Sequence, residues 1–136
     1  MPVRRIPGHA PMEPQVGYSR AVVAGRHVYV SGTAPIPRDG SDPPPGAYEQ
    51  ARLAIEIIEG ALEQAGATLD DVVRTRIYVV PGVDFDEVAR AHGEAFGSIR
   101  PATAGLVVAA LLDPRWLVEL EADAVLPESR AEDGAL

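Results

Sequence analysis

Residues 100–125 read RPATAGLVVAALLDPRWLVELEADAV, and two runs of strand-forming residues lie within them, 102–109 and 117–125. A turn through Asp113 and Pro114 joins the two. The second run alternates strictly. Leu117, Glu119, Glu121, Asp123 and Val125 point to one side of a strand, and Val118, Leu120, Ala122 and Ala124 point to the other. Three acids on one strand face cannot lie in a closed apolar core without partners. That face meets water, meets cations or lines a site.

Working outward, residues 72–80 (VVRTRIYVV) form a strand by β-branched content, with Arg74, Arg76 and Tyr78 on one face. Between the two strand regions, Asp84 with Glu87 three residues on predicts a helix start. Phe85, Val88, His92, Ala95 and Phe96 make the inner stripe of that helix. Upstream, Ala51, Ile55, Ile58, Leu62 and Ala65 recur at helical spacing, and Gly66 ends that helix. Gly60 inside it implies close packing on a sheet. Thr68 and Asp71 read as a capped turn.

Nearer the start, residues 18–24 and 27–31 are strands joined by the Gly-X turn Gly25-Arg26, with His27, Tyr29 and Ser31 on one face. Residues 33–46 are a Pro- and Gly-rich loop, and residues 1–17 an irregular arm or a short edge strand. Residues 1–126 thus make one domain, with 127–136 a disordered tail. The order is β-β-α-β-α-β-β, an α+β sandwich of two layers with both helices on one face of one mixed sheet. The bare face gathers His27, Tyr29, Ser31, Arg74, Arg76, Glu119, Glu121 and Asp123. Its mixed charges suit a partner subunit.

A chain of 136 residues can bury such a core without staples, and the absence of cysteine excludes disulfides and thiolate chemistry. No apolar run reaches the length of a membrane span or a signal peptide, so the expected compartment is the cytoplasm. A net charge of −8 and few aromatic residues argue against nucleic acid as a partner. Phosphate-loop, nucleophile-elbow and His-Glu-x-x-His motifs are missing, and His9, His27 and His92 share no metal-ligand spacing. Neither a metal nor a cofactor is expected.

Several stretches in order carry a family resemblance: Tyr18-Ser19, Val30-Ser31-Gly32, residues 65–75 (AGATLDDVVRT), Asp84-Phe85, Arg100-Pro101-Ala102 and residues 118–122 (VELEA). Over residues 14–126 the chain resembles the RidA superfamily, also called YjgF/YER057c/UK114. The resemblance implies a chorismate-mutase-like fold, a homotrimer, and small-molecule clefts between subunits. Its best-known members hydrolyse enamines and imines such as 2-aminoacrylate without a cofactor. In those members an arginine follows Pro-Ala and grips the substrate carboxylate, whereas Thr103 stands here. Gly105, Ala89 and His92 also depart from the deaminase pattern, while Tyr18, Ser31 and Glu119 keep it. The resemblance is therefore to an arginine-lacking branch.

Two readings attach to each candidate. Glu119 is a general acid/base, or else an ion-pair partner of Arg74 or Arg76. His92 is a core histidine satisfied by a carbonyl, or a titrating group in the cleft. Tyr18 and Ser31 position a ligand by hydrogen bonds, or Tyr18 packs on a neighbouring subunit. Thr103 and Gly105 leave the cleft small and uncharged there, and whether Arg76 or Arg100 replaces the missing cation is left open by the sequence. Hydrolysis or proton transfer on an enamine or imine, but not 2-aminoacrylate deamination, is the expected activity. The alternative is a non-catalytic trimeric module that binds a metabolite or a protein.

Overall fold

The structure is a computed structural model and describes residues 2–128, so most of the expected tail lies outside the described residues. Its sheet has six strands, because the N-terminal arm contributes one. Strand β1 (Val3–Ile6) pairs antiparallel with β2 (Ala21–Ala24), which makes the arm the edge strand that was one of its two readings. Between them a single π-helical turn, Glu13–Gly17, was not legible. Its closing bond runs from the Tyr18 N–H to the Glu13 carbonyl at 3.1 Å, which keeps Tyr18 out of the strand expected to begin there.

Gly25 takes the expected turn at φ 62° into β3 (His27–Thr33). Helix α1 (Ala47–Gln64) ends in a Schellman motif. The Ala67 N–H reaches the Leu62 carbonyl at 2.8 Å and the Gly66 N–H reaches that of Glu63 at 3.0 Å, with Gly66 at φ 86°. Gly60 does not lie against the sheet, since a β-carbon there would meet the Arg38 guanidinium at 3.5 Å. Asp71 accepts the Thr68 N–H at 2.9 Å, and the capped turn leads into β4 (Val72–Val79).

Helix α2 (Phe85–Phe96) is capped by Asp84, whose side chain accepts the Asp86 N–H at 3.0 Å. Phe85 is not part of the inner stripe. It is 41% exposed at the helix start and lies over the edge strand, and Ala91 is buried instead. Strand β5 is Ala102–Val107 and β6 is Val118–Val125.

The sheet runs β1-β2-β3-β6-β4-β5, with β4 and β5 parallel and the remaining pairs antiparallel. Ile55, Ile58 and Leu62 of α1 and Val88 and Phe96 of α2 form one buried cluster with Val28, Ile77, Val118 and Leu120. The helices thus cover one face and leave the acidic face of β6 uncovered, an α+β architecture in two layers. No helix of the described residues is long and apolar enough to cross a membrane.

Candidate functional site

The site begins at a defect in the sheet. Val30 pairs with Ala122 and Thr33 with Leu120, so Ser31 and Gly32 together stand opposite Glu121. This β-bulge breaks the ladder and re-aims the chain beside the acidic face. Glu119 lies over it, for a β-carbon on Gly32 would sit 2.6 Å from Glu119 Oε2. The carboxylate occupies the space that the missing side chain leaves open.

Arg20 holds the bulge in shape. Its Nη1 donates to the Gly32 carbonyl at 2.8 Å, to Thr33 Oγ1 at 2.7 Å and to the Ser31 carbonyl at 3.4 Å. Its Nε lies 3.9 Å from Glu13 Oε2, with both side chains nearly buried. Glu13 in turn accepts the N–H groups of Gly8 (2.8 Å) and Ala10 (3.1 Å), which fixes the arm. The Arg20 guanidinium also lies 5.5 Å from the Tyr18 ring centre. This cation, which shapes the cleft wall, is the residue that the sequence reading missed. A lone arginine entering an apolar strand was its signal, but its partner Glu13 bears no periodic relation to it.

A cleft of about 800 Å³ opens here, lined by Tyr18, Arg20, Ser31, Gly32, Trp116 and Glu119 among others. Gln50 of α1 fixes its far wall. The side-chain amide donates to the carbonyls of Pro44 (2.8 Å) and Arg115 (2.9 Å) and accepts the Leu117 N–H (2.8 Å). The 33–46 loop and the turn before β6 are thereby tied to one buried side chain.

Among the described residues no ion pair holds Glu119. The expected partner Arg76 instead lies 3.5 Å from both Glu121 and Asp123, and Tyr78 donates to Glu121 at 2.5 Å. Burial pushes the Glu119 carboxyl above its ordinary value; Arg20 opposes the rise and Glu121 adds to it. Glu121 is tied into the sheet, while Glu119 faces the cleft without such a tie among the described residues. Ser31 Oγ donates to the Ser19 carbonyl at 2.6 Å, which leaves its lone pairs to accept.

Thr103, Gly105 and His92 do not line this cleft. Thr103 pairs with Thr75 across β4 and β5, on the helix-covered face of the sheet. Thr75 Oγ1 lies 2.8 Å from Thr103 Oγ1 and 2.8 Å from His92 Nε2, so His92 is satisfied by a hydroxyl rather than a carbonyl. Burial pushes the His92 imidazole below its ordinary value. Gly105 lies under Phe85, whose ring a β-carbon would meet at 3.0 Å. Arg100, an exposed residue with a left-handed φ of 57°, is not among the cleft residues either. Within one chain the six expected residues therefore fall into two groups on opposite faces of the sheet.

This sheet, with paired helices behind it and a bulged, cleft-bearing face in front, defines a two-layer α+β protein of the chorismate-mutase-like class. The family described as Endoribonuclease L-PSP matches residues 8–126. The chain belongs to that family, the YjgF/YER057c/UK114 or RidA superfamily. A Streptomyces coelicolor protein described as uncharacterized is 38% identical over 122 residues, 90% of this chain and 91% of its own. The 2-iminobutanoate/2-iminopropanoate deaminase of Capra hircus is 36% identical over 126 residues, 90% of each chain. The crystal structure of a Mycobacterium tuberculosis member of the YjgF/YER057c/UK114 family superposes with a TM-score of 0.83 at 46% identity. That match covers 92% of this chain and 100% of the other.

Proposed function

We propose that the chain is an arginine-lacking RidA-type protein that binds a small enamine or imine in this cleft and hydrolyses it, with Glu119 as acid/base. The observation that carries the reading is Glu119 itself, a desolvated carboxylate with no ion pair among the described residues, seated over Gly32 at the cleft wall. Relatives named as 2-iminobutanoate/2-iminopropanoate deaminases support the reaction class.

The step balances without an oxidant or reductant. Water adds to the carbon of a protonated imine, its proton passes to Glu119, and the C=N electron pair moves onto nitrogen. Glu119 returns that proton to the nitrogen of the carbinolamine. The hydroxyl oxygen then forms the carbonyl as the C–N bond breaks and its proton is released. One iminium ion and one water give one carbonyl compound and one ammonium. Tyr18 and Ser31 orient the ligand.

Assembly as a homotrimer belongs to the same proposal. Thr103, Gly105 and His92 face away from Glu119 in their own chain, and β5 is an edge strand exposed along its length. A second copy's β5 set against the cleft would bring the two groups together. Thr103 offers no charged fork for a carboxylate, so 2-aminoacrylate is a poor substrate.

Turnover of an imine panel, with 2-aminoacrylate included, tests the proposal. Glu119→Gln should keep the fold and lose about 10²–10⁴ in rate. Normal turnover by that variant, or no turnover of any imine by the parent protein, refutes catalysis at Glu119.

A further inference from the structure

The polar end of the cleft carries an unmatched negative charge, and the rest of its wall is largely apolar. We infer that the cleft selects a cationic, carboxylate-free ligand: an ammonium or protonated imine seated at Glu119 on an uncharged apolar body lying over Met12, Leu112 and Trp116. The inference rests on the proposed use of this cleft as the ligand site, and it adds the charge and shape of the occupant.

Charge comes first. The cleft walls carry two arginines, Arg20 and Arg115, and both are already matched. Arg20 spends Nη1 on the bulge and faces Glu13 through Nε, with its side chain only 6% exposed. Arg115 grips Asp113 at 2.8 Å and Asp42 at 3.0 Å. Arg76 beyond them is shared by Glu121 and Asp123. Among the described residues of one chain, a ligand carboxylate in the cleft would meet no cation that lacks an acidic partner and would lie against Glu119, whereas a cation would supply the charge that Glu119 lacks.

Hydrogen bonding points the same way. Ser31 has given its proton to the Ser19 carbonyl, so its oxygen accepts from an entering group, as the Glu119 carboxylate does. N–H groups of an ammonium or iminium head fit that set, and a second carboxylate does not. Beyond the head, Met12, Val16, Ile36, Pro37, Leu112 and Trp116 line the cleft. A volume of about 800 Å³ has room for more than a small polar head. An apolar body therefore adds affinity through burial.

Trp116 is the only tryptophan in the chain, so its fluorescence reads occupancy directly. The full chain is titrated with 2-phenylethylammonium, 3-phenylpropionate and methylammonium. Charge-assisted contact at Glu119 should make 2-phenylethylammonium bind about ten- to a hundredfold tighter than 3-phenylpropionate. Methylammonium, lacking the apolar body, should bind more weakly than 2-phenylethylammonium. In Glu119→Gln the preference for the cation should collapse. The charge comparison in the unsubstituted protein stands by itself if that variant does not fold. Equal or tighter binding of 3-phenylpropionate, a cation preference that survives in a folded Glu119→Gln, or no saturation by 2-phenylethylammonium at millimolar concentration overturns the inference. Binding is read without turnover. Preference for the cation without imine hydrolysis would leave this inference standing and sink the catalytic proposal, and hydrolysis confined to carboxylate-bearing imines would do the reverse.

Discussion

Replacing Arg20 by methionine should separate an internal strut from a ligand anchor. In the folded protein the guanidinium supplies three Nη1 bonds to the bulge and the counter-charge of Glu13. Breaking a buried pair by removing one partner costs about 3–5 kcal/mol. Glu13 keeps two backbone donors, the N–H groups of Gly8 and Ala10, which places the loss at the lower end, about 3 kcal/mol. For a chain of this size about 3 °C of Tm goes with each kcal/mol, so Tm should fall by about 10 °C. Thermal unfolding followed by circular dichroism, at one protomer concentration because association shifts Tm, measures it. Glu13→Gln in the Arg20→Met background should recover part of the loss, since the orphaned charge is then gone. A fall under about 3 °C, or a double variant whose losses simply add, would refute the strut and free Arg20 to hold an anion.

Gly32→Ala should fold with little loss, because the added methyl meets only the movable end of Glu119, yet it should displace that carboxylate and abolish most imine turnover. The acid limb of the kcat/KM profile should lie above the ordinary glutamate range, since burial raises the Glu119 pKa and the base form is lost as pH falls through that raised value. The same shift makes the native state hold its proton more tightly than the unfolded chain, so this group's contribution to stability declines as pH rises through the window above the ordinary value. Glu119→Gln should therefore match or exceed the parent Tm at neutral pH, and a lower Tm there would reveal an ion pair at Glu119. Light scattering at micromolar protein should give three times the chain mass, and a monomer at every concentration would leave Thr103 and His92 without a route to the cleft.

What the sequence made legible follows from periodicity. The alternation of residues 117–125 assigned the faces of β6, and the register Arg76–Glu121 and Tyr78–Glu119 keeps Arg76, Tyr78 and the acids on one side. Gly25, Gly66 and Thr68 marked their turns because each answers a local backbone demand. The π-helical turn and the Ser31–Gly32 bulge have no such local signature. Each is held by contacts distant in sequence, above all Arg20 and Glu13, whose pairing no period relates. Phe85 was misplaced for a similar reason. Its position in the helical stripe suited the core, but at the first turn of α2 it reaches the edge strand, where Gly105 makes room for its ring.

That gap between pattern and contact explains why Glu119 and Glu121 look equivalent in the sequence and differ in the structure. Both occupy the same strand face, two residues apart. Glu121 stands opposite the bulge and is taken up by Arg76 and Tyr78 on the neighbouring strand. Glu119 lies beyond the bulge, over the one residue type that has no side chain to cover it. The cation that approaches from the other side, Arg20, is already committed to Glu13 and to the bulge backbone. An extra residue in β3 thus separates an acid tied into the sheet from one that has no ion pair among the described residues, and the arginine that stabilises the bulge is already committed to Glu13.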